Sequence, residues 1–585
     1  MGERPEDFPL DAVSIDNLRK HMEWLSRVRR DTGGPGEDQV AGYVAQQLDK
    51  NGVRCEVHEF NAFLSYPVRA TLEVIEPEQC SFRAITHSFG RSTGPGGVIA
   101  QLKHIPDGVV SHGAGCAVLV DGLLSPIKVL EASRCGVSAL IYANTEWFIH
   151  NMVSTTIWGT PGLFQVDRIP NVPVISVNDK TGARLKELLA RGPLKVRVVT
   201  EVKTGWFRSR LPEAIIPGAV EPEQFVLVGG HSCSWELGVT DNSTGIAALL
   251  EIARLLNQRR LQRSVRIGWW PGHSHGRYAG STWYADRFWE NLDRNCLAYH
   301  NIDSPGVRGA TYYIARHTSA EVERFIVEIV SRLTGQAEVP VHRPSKSADQ
   351  SFLNIGVPSF SCYPFLPEGH PDRRPWTGGS GGAWWWHTEH DTPEKYDANV
   401  LANDVRLSAT AVLELCQARV LPIDFMLVAS ELTELLRHVA VAAGGYLDMS
   451  TLRAKAEAFQ SAARMVSDVK SRLSRCEVEK TGGAGADAKV QRLNRLLMQI
   501  SRILMPVTYT SSSRFTHDSA DLVPVMRAEA ATLLPELSKA ELLAGLSGRH
   551  EFGFLVADLT REMNRVGDAL DRATELVRDT IVSLI

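Results

Sequence analysis

Three segments of this chain carry the residue types from which a hydrolytic metal centre is built. The first is His231-Ser-Cys-Ser-Trp-Glu-Leu-Gly-Val-Thr-Asp241-Asn-Ser-Thr-Gly245. It follows the apolar run Phe225-Val-Leu-Val and precedes Ile246 to Leu256, whose apolar residues recur at helical spacing. A buried strand thus ends in a histidine, and an aspartate stands at the mouth of the next helix. Open α/β sheets keep their ligand sites at that place. The second segment is Tyr299-His-Asn-Ile-Asp303-Ser-Pro, and the third is Trp386-His387-Thr-Glu-His-Asp391-Thr. Imidazole and carboxylate are the ligands a hydrolytic Zn²⁺ prefers. His231, Asp241, Asp303 and His387 are therefore the candidate metal ligands. A further stretch, Trp269-Trp-Pro-Gly-His273-Ser274-His275-Gly276, adds two imidazoles. A neutral imidazole takes a proton from metal-bound water, or binds the metal itself. Spacing does not choose between base and ligand for His273.

The elements that must position these residues follow from periodicity. Residues 206–420 alternate strand and helix, with strands expected at 225–229, 265–270, 298–302 and 357–362. That alternation predicts a mostly parallel sheet covered by helices. Residues 1–60 read as two helices and the start of a strand. Residues 61–205 carry short apolar runs (Ala117-Val-Leu-Val, Ala139-Leu-Ile-Tyr, Val172-Pro-Val-Ile-Ser-Val) separated by Gly and Pro, as in a small inserted β-rich domain. Residues 421–585 read as a helical bundle. There Leu452, Phe459, Met465, Val469 and Leu473 share one face, and Leu555, Leu559, Met563, Val566, Leu570 and Val577 another. Lys480 to Asp487 is a glycine-rich connection.

Composition excludes several classes. The 585 residues carry a net charge of −4, so nothing points to nucleic acid or an anionic membrane. No apolar run of about eighteen residues exists, so no transmembrane helix is expected. The polar start, Met1-Gly-Glu-Arg-Pro-Glu-Asp-Phe8, has no signal-peptide character. Nine cysteines lie singly without a CxxC pair, which reads as reduced thiols in a cytoplasmic protein.

Taken together, these residues resemble peptidase family M28, and within it the branch of glutamate carboxypeptidase II and transferrin receptor. The resemblance is carried by the His231–Asp241 spacing with Ser243-Thr-Gly245, and by the strand ending in Asp303. It is carried also by Asp349-Gln-Ser-Phe352 before Gly356-Val-Pro358, and by His387-Thr-Glu-His-Asp391-Thr. Residues 61–205 resemble the protease-associated (PA) domain. The part that begins Leu421-Pro-Ile-Asp-Phe resembles the helical dimerisation domain of this branch. The resemblance implies a zinc-exopeptidase-like α/β sandwich of three layers, a homodimer, and a centre of one or two Zn²⁺ or another divalent transition metal. It departs from the family at two places. Cys233 stands where the family has an Asp that supports the site. His273-Ser274 stands where the family has a Glu-Glu pair, base and ligand.

Charge decides what those departures mean. Asp241 and Asp303 neutralise one dication. Two dications leave two charges uncompensated in a poorly solvated pocket. A second metal would need a hydroxide, a further carboxylate such as Glu236 or Glu389, an anionic substrate, or His273 or His275 as a nitrogen ligand.

Around this centre, Trp386 within Trp384-Trp-Trp386 is a candidate pocket wall, and Arg374 a candidate carboxylate binder. Arg514, Phe515 and His517 resemble the segment that reaches the substrate pocket in glutamate carboxypeptidase II. The leading reading is a metal-dependent hydrolase of a C–N bond in a peptide, small amide or modified amino-acid conjugate, with His273, or less directly His275, in the catalytic role. The alternatives are a binding protein built on an inactive peptidase fold and a metal-dependent lyase.

Overall fold

The computed structural model describes residues 7–108, 110, 113–478, 484–520 and 533–584. The first six residues of the polar start and Lys480 to Gly483 of the glycine-rich connection lie outside them.

The strand Glu221–His231 is the centre of the architecture. It pairs in parallel with Arg263–Trp270 on one side and Cys296–Asn301 on the other. Ser359–Phe360 extends the sheet beyond Cys296–Asn301, again in parallel. These strands match the four expected, with ends shifted by a few residues. Alternation along the central strand sends its side chains to two different cores. Val226 and Val228 join one cluster with the helices Ile15–Leu25, Pro35–Lys50, Thr244–Asn257 and Ala398–Gln417. Phe225 and Leu227 join another with Phe60, Trp270, Tyr284, Tyr299 and Phe352. Burial on both faces explains why this strand reads as a continuous apolar run.

Two long strands, Arg54–Glu76 and Lys195–Ile216, pair antiparallel along nearly their whole length. One end of this ribbon lies beside Arg263–Trp270. At the other end Lys195–Ile216 pairs with Val98–His104, which leads into the parallel strands Ala117–Asp121, Ala139–Ala143 and Val174–Val177. The result is one sheet of twelve strands, ten of them along a single path, with Arg54–Glu76 and Cys80–Phe82 off it. The boundaries expected near residues 60 and 205 therefore fall inside strands. Composition changes there, but the backbone ladder does not stop. The lobe carries helix as well as strand: Asp179–Arg191 covers one of its faces through Leu185 and Leu188.

The C-terminal part is helical, with Phe425–Ala443, Ser450–Val478, Ala484–Thr508 and His550–Ile581. On Ser450–Val478 the buried positions are Leu452, Phe459, Val466, Val469 and Leu473, while Met465 is 40% exposed. Met465 departs from the expected face because the buried stripe repeats every seven residues through 452, 459, 466 and 473, and position 465 is turned about 100° from it. No described helix is long and apolar enough to cross a membrane.

Candidate active site

The strand ends build the centre. His231 is the last residue of its strand and is buried. Gly230 before it passes so close to the neighbouring strand end that a Cβ would meet the carbonyl oxygen of Ile302 at 2.2 Å. That approach places Asp303 beside His231. Asn242 ties the same three elements together. Its Nδ2 donates to the carbonyls of His231 (3.3 Å) and Ile302 (3.2 Å), and its Oδ1 accepts from the amides of Ser304 and Gly245, both at 3.0 Å.

Asp241 lies between two imidazoles. Its Oδ1 is 2.8 Å from Nε2 of His231 and its Oδ2 is 3.2 Å from Nε2 of His387. Oδ1 of Asp303 is 3.4 Å from the same His231 nitrogen. Both rings have their other nitrogen committed. Nδ1 of His231 donates to the carbonyl of Cys233 at 2.9 Å, and Nδ1 of His387 to the carbonyl of Asn151 at 2.9 Å. In the neutral form each Nε2 is then a lone pair aimed at carboxylate oxygens. His231 Nε2 is buried and makes no hydrogen bond of proper geometry despite its short contact. Lone pairs facing lone pairs need a proton or a cation between them. This donor set, with each histidine oriented by a backbone carbonyl, fits a divalent metal. The same geometry shifts the acid–base balance. Burial alone would lower the His231 imidazole, yet Asp303 and Asp241 raise it well above its ordinary value. Burial would raise the Asp241 carboxyl, yet His231 and His387 bring it well below the carboxylate range.

Asp391 supports Asp241 from behind. Its oxygens accept from the Thr240 amide and hydroxyl (2.9 and 2.7 Å) and the Asp241 amide (3.0 Å). Burial, with the charge of Asp241 beside it, pushes the Asp391 carboxyl up to about 7 despite these hydrogen bonds. Below the centre, the buried Arg30 guanidinium donates to the carbonyls of Ser232, Val28 and Gly238. Burial lowers its pKa to about 10.

His273 and His275 separate. The His273 ring stacks on His231 at 4.1 Å, and its Nδ1 lies 2.8 Å from Asp349. His231, His273 and Asp303 each offer a ligand atom within 4.8 Å of the others. His275 is turned away from the cleft and buried, stacked on Tyr66, packed against Trp235 and 3.4 Å from Asp31. Cys233 is buried between them, with the Ser274 amide 3.5 Å from its sulfur. Burial would raise this thiol, but hydrogen bonds from His231 and His275 bring it well below its ordinary value. Glu236 pairs with Arg29, and Glu389 with Arg83, both at 2.9 Å, so neither supplies a further carboxylate to the centre.

A cleft of about 840 Å³ opens over these residues. Asp241, His273, Asp303 and His387 line its floor, and Trp235, Tyr278, Tyr363 and Trp386 its aromatic walls. Trp386 stacks on His387 at 3.7 Å. Two lining arginines, Arg277 and Arg316, stood out in no sequence pattern. Their donors go to the backbone carbonyls of Ala520 and Gly378, and Nε of Arg277 is buried without a partner. Each sits in a loop after a strand, and nothing in its local sequence marks it.

The other expected contacts lie elsewhere. Arg374 pairs with Glu146 of the inserted lobe at 2.5 Å. Arg514 pairs with Asp293 and lies over Trp289. Phe515 packs on Trp289 and is 70% exposed. His517 binds Asp286 and borders a separate small cavity. Of the Trp384-Trp-Trp386 run, Trp385 donates to Thr240 and Trp384 to Asp372, which leaves Trp386 for the cleft.

The model of peptidase family M28 matches residues 214–412. A probable glutamate carboxypeptidase of Zea mays, VP8, is 23% identical over 371 residues, covering 52% of this chain and 51% of that protein. The chain thus spans about half the length of that relative. A probable leucine aminopeptidase 2 of Aspergillus oryzae is 22% identical over 380 residues, 61% of this chain and 74% of that one. Among solved structures, a zinc aminopeptidase from Bacillus subtilis superposes with a TM-score of 0.56 at 19% identity, over 70% of this chain and 96% of its own. The likeness extends to the fold.

Proposed function

From the match of residues 214–412 to the model of peptidase family M28, we propose that the chain is a metal-dependent hydrolase of a C–N bond in a small amide, peptide or amino-acid conjugate. The observation that carries this reading is the pair of imidazole lone pairs, on His231 and His387, turned onto the two oxygens of Asp241. His231, Asp241, Asp303 and His387 would hold the ion, with Zn²⁺ the best match to the donor set. A bound divalent ion of this kind polarises a carbonyl and makes water acidic enough to ionise near neutrality. Two carboxylates balance one dication, and Glu236 and Glu389 are engaged elsewhere. We therefore favour a single tightly held ion, with His273 beside it as proton acceptor or additional ligand. Proton transfer through an imidazole in place of a carboxylate is compatible with operation near neutral pH.

The cleft supports an anionic substrate. Arg277 and Arg316 form no ion pair among the described residues, and a carboxylate on the substrate would satisfy them bidentately. The aromatic walls suit a flat or apolar group next to it. We read residues 61–205 as a PA-like domain that shapes access, and the helical part from residue 421 as a dimerisation domain.

The test is metal content of the purified full chain, followed by turnover of N-acetylglutamate, N-acetylphenylalanine and matching dipeptides with Zn²⁺. One zinc per chain and release of the free amine, preferring the acidic probes, is the expected result. Absence of tightly bound divalent metal after zinc loading would sink the reading. The second reading, an inactive binding protein, is favoured by one observation: His273-Ser274 occupy the place of the Glu-Glu pair. It predicts binding of the acidic probes without amine release.

A further inference from the structure

One of the two ring nitrogens of His273 is fully committed. Nδ1 lies 2.8 Å from Oδ2 of Asp349. Asp349 is 1% exposed, and its other oxygen accepts the hydroxyl of Ser281 at 2.8 Å. The ring is also clamped on its sides. It stacks on His231 at 4.1 Å and meets Tyr278 edge-on at 4.9 Å. Exchange of its two nitrogens would require breaking the hydrogen bond and both ring contacts. An ionised carboxylate only accepts hydrogen bonds. Whenever the ring carries a single hydrogen, that hydrogen therefore sits on Nδ1, and Nε2 is left as a lone pair for the cleft beside His231 and Asp303.

We propose that Asp349 is a positioning residue: it holds His273 as the Nδ1–H tautomer, so that Nε2 is the acceptor atom presented to the reacting centre. Both roles open to His273 need that same lone pair. As a base, Nε2 receives the proton of the attacking water and passes it to the leaving nitrogen; as a ligand, Nε2 donates its lone pair to the metal. Asp349 therefore does for His273 what the carbonyls of Cys233 and Asn151 do for His231 and His387. It uses a buried carboxylate, the stronger acceptor. A carboxylate–imidazole pair of this kind fixes tautomer and orientation in other hydrolytic sites. Ser281 completes the device by fixing the carboxylate itself. The catalytic meaning of this inference rests on the hydrolase reading above; its geometry does not.

The experiment uses the full chain labelled with ¹⁵N-histidine, free of metal. Long-range ¹H–¹⁵N correlation reads the tautomer of His273, identified by the signals lost in His273→Gln. The wild type is expected to show the Nδ1–H tautomer, and Asp349→Asn to shift His273 to the Nε2–H form. An Nε2–H ring in the wild type overturns the inference without any variant; so does an unchanged tautomer in a folded Asp349→Asn protein. With zinc and whichever N-acetyl amino acid is turned over, Asp349→Asn should lower kcat about 10³-fold. KM should stay within about twofold, a split that general loss of structure would not produce; zinc content stays within about twofold if Nε2 is the base and falls about 10-fold or more if Nε2 is a ligand. A wild type with the expected tautomer but no turnover of any probe would defeat the hydrolase reading and leave the positioning role standing.

Discussion

At the scale of single residues, Asp241 touches both candidate histidine ligands, His231 and His387. Removing its charge leaves two imidazole nitrogens and Asp303 to hold a dication in a buried place, where an unbalanced charge is costly. Asp241→Asn should lower zinc affinity by more than about 100-fold, read by competition with a chromogenic chelator. Affinity within threefold of wild type would remove Asp241 from the ligand set. The residue scale is also where the sequence was most readable. His231, Asp241, Asp303 and His387 announce themselves, because each stands at a strand end or in the loop after one. His273 was legible as a candidate, but its partner was not. Asp349 lies 76 residues away, in a segment whose sequence reads only as a fold marker. Arg277 and Arg316 were equally silent, since an arginine in a loop is most often a solvated surface residue. What makes them a site is the cleft around them.

At the scale of elements, the strands and helices followed from periodicity, and the joins between them did not. The helix Ala484–Thr508 meets the sheet through Arg502, whose guanidinium donates to the carbonyls of Asp293 (2.8 Å), Gly356 (2.6 Å), Leu292 (3.1 Å) and Cys296. A buried arginine satisfied by backbone carbonyls leaves no pattern in the sequence. Arg502→Ala removes a donor from all four carbonyls and should cost about 3–5 kcal/mol. Arg502→Lys should recover less than half of that, because one ammonium cannot reproduce the guanidinium fork. Urea unfolding of both variants checks this, and a loss below about 1 kcal/mol for Arg502→Ala would refute it.

Glu321 lies close to Arg343 and Glu431 and to Tyr509 of the helical part. Both its carboxyl oxygens are buried without a hydrogen-bond partner. Burial pushes its pKa from 4.5 up to about 7. The folded chain therefore binds this proton more tightly than the unfolded chain does. Stability from this group is fully present below about 4.5, falls as pH rises through that window, and is lost above about 7. Glu321→Gln mimics the protonated form. It should raise the melting midpoint at pH 8 by roughly 2 °C and change it little at pH 4. Thermal scans at the two pH values would show an equal shift at both if burial were not the cause.

At the scale of the whole molecule, the lobe between the two long strands reaches the proposed metal centre. The candidate ligand His387 is oriented by the carbonyl of Asn151, and the Asn151 amide returns a hydrogen bond to the His387 carbonyl at 2.8 Å. Nδ1 of His150 contacts the Trp386 carbonyl at 2.6 Å. Each of these contacts ends on a backbone carbonyl, which the sequence could not disclose. They mean that a lobe reached only through two long strands holds the ring of a ligand whose partners come from the central sheet. A latch beside them is open to mutation: Arg374 binds Glu146 of the lobe at 2.5 Å and the carbonyl of Pro371 at 2.7 Å. Arg374 was expected to bind substrate; its position suits keeping lobe and loop in register. If the lobe orients His387, loosening the latch weakens metal binding without touching a ligand. Arg374→Ala and Glu146→Ala should each raise the zinc Kd by about 10-fold. The double variant should be no worse than either alone, because both break one contact. Isothermal titration of the four proteins with Zn²⁺ reads this directly. Additive losses, or single variants indistinguishable from wild type, would show that lobe and metal centre are energetically independent.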